Sequence, residues 1–271
     1  MPDLARRTVT GTVTSADGTA IAFDRSGAGP AVMLVHGAFT GRGHPPLTGV
    51  AAALAPWFTV FNYDRRGRGD SGDTRPYAVE REIDDLAALI AAAGGRAMVF
   101  GGSSGAGLAL AAAARIPAIT KLALWEPPYH AGDGAPELPP DFAGQLDALV
   151  RAGRPGDAVQ LFMTAAAQVP AAAVAEMRAQ PSWAGAEAAA VTLSYEARVM
   201  GPGNALPARL LAAIRQPTLV LTGGSSPAWL ASAGKAVAGT VPGAVHRVLD
   251  GQAHNVSAGA LAPELLEFFT A

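Results

Sequence analysis

The chain of 271 residues contains no cysteine, which excludes disulfides, thiolate metal sites and a cysteine nucleophile. It has almost no net charge, −2 at pH 7, so nothing in its balance of charge draws it to nucleic acid or to an anionic membrane surface. No apolar run approaches the roughly 18 to 20 residues of a membrane span. The segment Met1 to Arg7 lacks the apolar core of a secretory signal. Its histidines show no metal-ligand spacing, and the chain has no internal repeat. The expectation is a soluble cytoplasmic protein, monomer or homodimer, with no nucleic-acid or membrane partner and no metal.

What is present is apolar. Half the chain is hydrophobic, enough to bury a sizeable core in one large α/β domain or two small ones. Thr8 to Thr14 alternates like a strand and runs into Asp17-Gly18, a type I′ hairpin signal, with Thr19 to Arg25 as the return strand. Ala31–Val35, Phe58–Tyr63, Arg96–Phe100, Ile119–Trp125, Pro217–Leu221 and Val245–Leu249 read as buried strands. Tyr77–Ala93, the stretch from the glycine-rich turn to Arg115, Trp229–Ala238 and Ala258–Phe269 have helical periodicity. Strand–helix repetition with apolar strands predicts an α/β fold whose mostly parallel, doubly wound sheet is covered on both faces. The rhythm breaks between residues 127 and 213, where proline clusters and alanine-rich segments such as Phe142–Ala152 and Ala184–Met200 predict a helical insertion. Residues 1–126 and 214–271 then form the core, and 127–213 a cap.

The densest signal is Gly101-Gly102-Ser103-Ser104-Gly105, between the strand ending at Phe100 and an alanine-rich helix. This G-x-S-x-G pattern places a serine on a sharp strand-to-helix turn where only small neighbours fit. The hydroxyl then stands at a helix N-terminus, where developing negative charge is favoured. The pattern centres on Ser103; Gly102-x-Ser104-x-Ala106 is a looser match centred on Ser104. A serine hydroxyl needs a base to take its proton, and the base needs a carboxylate to fix its tautomer. Of five histidines, His254 alone lies just past the last strand, at the carboxyl edge of the sheet where sites of open α/β folds gather. His246 starts that strand, at the opposite end. His44 and His130 sit in proline-rich loops, and His36, beside Gly37, reads as a structural turn residue.

His36-Gly37, the run Tyr63-Asp64-Arg65-Arg66-Gly67-Arg68-Gly69-Asp70-Ser71, the elbow at Ser103 and the terminal His254 together resemble the α/β-hydrolase superfamily over almost the whole chain. The resemblance implies a serine hydrolase with a variable cap, no cofactor, and an oxyanion hole of two backbone N–H groups, those of Ser104 and of Ala38, with Phe39 the near alternative to Ala38. It also implies a bracing role for Asp64 to Ser71. In the acid the sequence departs from the family, which usually places an aspartate after the strand that follows the cap. Here that strand ends Leu221-Thr222-Gly223-Gly224-Ser225-Ser226, and no acid occurs between Glu196 and Asp250. Asp250, so close to His254, reads as a loop former. Glu126, at the tip of the strand beside the elbow strand, is the better-placed acid, as in haloalkane dehalogenases; Asp133 is its rival.

The expected activity is hydrolysis of a small to medium hydrophobic ester or lactone through an acyl-enzyme, by Ser103, His254 and Glu126. Carbon–carbon bond hydrolysis or perhydrolysis on the same triad, or a non-hydrolytic ligand-binding or tailoring protein, are the alternatives. Phe39, Trp125, Trp183, Tyr195 and Trp229 are candidate pocket walls, with Phe142, Phe162, Met163 and Met200 beside them. Gly67 to Gly72 matches G-x-G-x-x-G without the strand-to-helix context of a dinucleotide site. Asn255-Val256-Ser257 is a sequon idle without secretion.

Overall fold

A computed structural model describes residues 8–132 and 134–271. In chain order the elements are β1 (Val9–Thr14), β2 (Ala20–Ser26), β3 (Ala31–Val35), α1 (Pro45–Leu54), β4 (Thr59–Tyr63), α2 (Val79–Ala92), β5 (Ala97–Gly102), α3 (Ser104–Ala113) and β6 (Ile119–Trp125). Then follow α4 (Phe142–Arg151), α5 (Pro155–Ala165), α6 (Ala171–Arg178), α7 (Trp183–Ala189), α8 (Leu193–Met200) and α9 (Ala208–Leu211). The chain closes with β7 (Thr218–Gly223), α10 (Ala228–Thr240), β8 (Val245–Leu249) and α11 (Ala258–Thr270).

The eight strands form one sheet in the order β1-β2-β4-β3-β5-β6-β7-β8. β1 and β2, and β2 and β4, pair antiparallel; every other neighbouring pair is parallel. The central strands are apolar on both faces because both are covered. Met33, Val35, Val99, Leu122, Leu124 and Val220 pack with α2, α3 and α10. Their alternating neighbours Val32, Leu34, Met98, Phe100, Ala123, Leu219 and Leu221 pack with α1 and α11. The chain leaves β3 toward β4 on one side and returns to β5 on the other. The carboxyl ends of β3 and β5 therefore flank a crevice, where open α/β sheets place their ligands.

Two local expectations are corrected. The first hairpin turn is not type I′. Ser15 N–H donates to Thr19 O at 2.8 Å and Gly18 N–H to Ser15 O at 2.9 Å. Gly18 has φ +85° while Asp17 keeps the ordinary sign, so the loop is the three-residue kind with glycine in the left-handed position. Pro45-Pro46, read as loop, instead begins α1: the prolines occupy its first helical positions, where their missing N–H groups would have had no partner.

Residues between β6 and β7 hold α4 to α9, and their described part contains only one isolated bridge, His130 with Ala205. Phe142, Leu146, Val159, Val174, Trp183 and Leu193 form a separate apolar cluster there. α4 and α5 bury one stripe each, as their spacing dictates, whereas α8 is buried on every side except at Arg198. Val199 and Met200 at the end of α8, and Leu211 of α9, join the core cluster instead. No helix among the described residues is long and apolar enough to cross a membrane.

Candidate active site

Ser103 sits at φ 55°, ψ −128° between β5 and α3, a backbone conformation that L residues adopt only under constraint. Two glycines make the turn possible. A Cβ on Gly101 would lie 2.5 Å from Gly105 O, and one on Gly105 would lie 2.5 Å from Val35 O. The turn is closed by Ser103 N–H donating to Trp125 O at 2.8 Å. Ser104 occupies the first turn of α3, whose N–H groups have no carbonyl within the helix to donate to.

His254 comes from the loop between β8 and α11. Its Nε2 lies 3.2 Å from Ser103 Oγ and its Nδ1 2.6 Å from Glu126 Oε2. An ionised carboxylate only accepts, so Nδ1 carries the proton and Nε2 is left to accept from the serine hydroxyl. Trp125 Nε1–H donates to His254 O at 2.8 Å and so anchors the histidine loop.

Glu126 is fully buried and, like Ser103, has positive φ, 43°. Its N–H donates to Leu221 O at 2.9 Å. The side chain then reaches across to the end of β7, where Gly223 N–H donates to Oε1 at 2.7 Å. Both carboxylate oxygens are thus occupied. The backbone of the strand end that has no acid of its own holds the acid supplied by its neighbour. Asp133 lies outside the described residues.

The loop after β3 faces the elbow. Ala38 N–H donates to Ser104 Oγ at 3.1 Å, which places it beside the N–H groups at the start of α3. Phe39, at φ 59°, packs edge-on against Phe162 at 5.6 Å between centroids. Behind this loop, His36 is fully buried, with Nε2 2.5 Å from Asn62 Oδ1. Burial pushes its pKa down to about 3, so the imidazole is neutral. The Asp64–Ser71 segment is densely bonded. Asp64 accepts from Arg42 N–H at 2.8 Å and Asp70 N–H at 3.1 Å, and Ser71 Oγ–H donates to Asp64 O at 2.6 Å.

Two chambers meet at Ser103. The larger, about 260 Å³, lies against the inserted helices and is lined mainly by apolar groups, including Phe142, Phe162, Met200, Trp229 and Leu230, together with Ala38, Ser104 and His254. The smaller, about 120 Å³, lies on the other side, against Phe100, Trp125 and Leu261. Of the expected wall residues, Trp229 borders the larger chamber and Trp125 the smaller. Phe39 lines a separate polar cleft beside Arg42 and Asp64, and Met163 packs against the cap cluster. Trp183 and Tyr195 line neither chamber. Trp183 is buried in the cap cluster, donating to Glu187 Oε1 at 3.1 Å. Tyr195 stacks on Tyr77 at 3.7 Å and donates to Asp73 at 2.8 Å. Trp183 faces the other inserted helices and Tyr195 faces the segment before α2, so neither looks into a chamber. Glu196 and Asn255 border the larger chamber without having been expected there. Glu196 follows directly on Tyr195 in an amphipathic run, and nothing local separates a cavity acid from a solvated one.

A sequence model of the "Alpha/beta hydrolase family" matches residues 32–265. The chain belongs to that family. A solved α/β hydrolase from Sphaerobacter thermophilus is 55% identical, with a TM-score of 0.89 over 96% of this chain and 100% of that one. A hydrolase from Pseudomonas aeruginosa is 25% identical, with a TM-score of 0.74 over 97% and 98%. The uncharacterized hydrolase YraK of Bacillus subtilis is 39% identical over 104 residues, 37% of this chain and 38% of that protein. The serine elbow, the histidine loop and the smaller chamber belong to the sheet and its connections, while the larger chamber is also walled by helices inserted between β6 and β7.

Proposed function

We propose that the protein hydrolyses small to medium apolar carboxylic esters or lactones through an acyl-enzyme on Ser103. The observation that carries this reading is the hydrogen-bonded chain from Ser103 Oγ through His254 to Glu126, at 3.2 and 2.6 Å, opening onto an apolar chamber. Ser103 Oγ attacks the carbonyl carbon while His254 Nε2 takes its proton. The carbonyl π electrons move onto oxygen, which the Ser104 N–H receives together with the Ala38 N–H, released from Ser104 Oγ; a preorganised donor of this kind contributes about 3 to 4 kcal/mol. The carbon–oxygen bond to the leaving group breaks, and His254 returns the proton to the departing alkoxide. Water then gives a proton to Nε2 and attacks the acyl carbon, and collapse releases the acid and restores Ser103. Glu126 holds the Nδ1–H tautomer and stabilises the transient imidazolium.

A hydroxyl nucleophile with an imidazole base suits acyl transfer, and the apolar lining suits an uncharged substrate. The test is reaction with a fluorophosphonate followed by mass mapping. The expected result is a single adduct on Ser103 that is lost in Ser103→Ala and strongly slowed in His254→Ala, together with turnover of p-nitrophenyl butyrate. A folded protein that takes no label and turns over no ester contradicts the reading.

A further inference from the structure

The peptide unit joining Gly37 to Ala38 carries one of the two proposed oxyanion donors, and its opposite end is held by a cation. Arg68 Nη1 donates to Gly37 O at 2.5 Å and to Thr40 O at 3.0 Å. The preceding carbonyl, His36 O, accepts from Arg65 Nη1 at 3.0 Å. Two buried guanidinium groups thus hold three carbonyls of the loop that contains Ala38. Both are tied to one carboxylate of the cap. Glu196, on α8, accepts from Arg65 Nη1 at 2.8 Å through Oε2 and from Arg68 Nη2 through Oε1. Arg65 is further paired with Glu82 at 2.7 Å. Glu196 itself borders the larger chamber.

An amide whose oxygen accepts from a cation is polarised, and its N–H becomes a stronger donor. Its plane is also fixed. That matters here because the Gly37 side of the peptide has no side chain to restrict rotation, and Phe39 beyond it is in a strained left-handed conformation. Without Arg68, Gly37 O in this half-buried loop would keep only the Thr40 hydroxyl, at 3.0 Å, and the peptide would lose the charged partner that holds its plane and its N–H direction.

We propose that Arg68 is a positioning residue of the oxyanion hole, aiming the Ala38 N–H through the Gly37 carbonyl, and that Glu196 makes this alignment depend on α8 being seated. The proposal rests on the serine-hydrolase reading, since the alignment has consequences for rate only if charge develops at that N–H. A structural brace alone would lower stability and leave the chemical step intact, which separates the two roles.

The experiment compares wild type, Arg68→Met, Arg68→Lys and Glu196→Gln. Each is assayed for the second-order rate of Ser103 phosphonylation by a biotinylated alkyl fluorophosphonate, for kcat and KM on p-nitrophenyl butyrate, and for cooperative thermal unfolding. In Arg68→Met, phosphonylation and kcat are expected to fall about 10- to 100-fold, less than the loss from deleting a donor outright. KM is expected to stay within about threefold, the pattern of an interaction made only in the transition state. Arg68→Lys should recover part of the rate, because an ammonium can reach Gly37 O but cannot span to Glu196 as a planar fork does. Glu196→Gln should show the same kcat defect in milder form. If Arg68→Met does not fold, Arg68→Lys and Glu196→Gln carry the test. Folded variants that react at the wild-type rate, or that raise KM with kcat unchanged, overturn the proposal while a labelled wild type leaves the hydrolase reading standing. A wild type that takes no label overturns both.

Discussion

Phe39, Ser103 and Glu126, at the carboxyl edge of the sheet, all have positive φ. In the insertion, positive φ among non-glycine residues falls instead on Asp141, Gln168 and Asn204. Asp and Asn visit that region readily because their short polar side chains bond locally, and Asp141 does so, accepting from Gly144 N–H at 3.2 Å as the cap of α4. Phe, Ser and Glu have no such help. Their strain persists only because strand ends, the β5–α3 turn and buried hydrogen bonds over-determine the backbone. The insertion uses ordinary helices, and its wall along the chamber is a matter of which apolar side chains face it. In the proposed reaction the edge fixes where the reacting atoms go, and the inserted helices fix what fits beside them. Substitutions at the edge should therefore change rates by orders of magnitude for every substrate, and substitutions in the cap should change rates modestly and selectively.

The largest expected effect is at Ser103. Ser103→Ala should remove about 10⁶-fold in kcat, the scale seen when an acyl-transfer nucleophile is deleted, with cooperative unfolding preserved. Glu126→Gln comes next. Its amide oxygen can still accept from Gly223 N–H, which turns the NH₂ group toward His254 Nδ1. That favours the tautomer with the proton on Nε2, unable to accept from Ser103. Steady-state kinetics should show a loss of about 10⁴-fold in kcat, as for other triads held in the wrong tautomer. A loss below tenfold would place the acid elsewhere.

Phe162→Ala sharpens the comparison from the other side. It enlarges the apolar chamber, so a p-nitrophenyl ester series should shift toward longer acyl or alkyl groups by about tenfold in kcat/KM. The fluorophosphonate rate of Ser103 with a small probe should change little. A uniform collapse across the series would mean that the cap, too, positions the reacting atoms.

The smallest effect concerns a histidine at the same edge that the proposed chemistry does not use. His36 is pushed down from 6.5 to about 3 by burial, so between those values the unfolded chain holds a proton that the folded chain does not. Its contribution to stability is complete above about pH 6.5 and is lost as the pH falls, with a slope near 1.4 kcal/mol per pH unit. His44, His130 and His246 are also pushed down by burial and add to the slope in the same direction. Urea unfolding between about pH 6.5 and pH 5 should therefore show a shallower pH dependence in His36→Asn, by about one proton's worth.

How much of this was legible in the sequence follows the same division. Ser103 could be read because Gly101 and Gly105 are required by contacts that a Cβ would violate. The central strands could be read because both faces of the sheet are covered. Glu126 could be read from a gap: no acid stands between Glu196 and Asp250, and the structure brings its carboxylate within reach of His254. Trp183 and Tyr195 were expected over the chamber and lie elsewhere, because a helix with apolar residues on more than one side does not declare which stripe meets its own neighbours. Arg68 and Glu196 touch across 128 positions of sequence, and no local pattern announces such a pair. The proline-rich loop expected at His44 instead opens α1, because proline also suits the first positions of a helix.

Glu126, reaching from β6 to the end of β7, is proposed to fix the tautomer of His254. The most direct test is the tautomer of His254, read by ¹⁵N–¹H correlation of ¹⁵N-histidine-labelled protein at a pH where the imidazole is neutral. The account predicts a proton on Nδ1 in the wild type and on Nε2 in Glu126→Gln. The same tautomer in both proteins would contradict it.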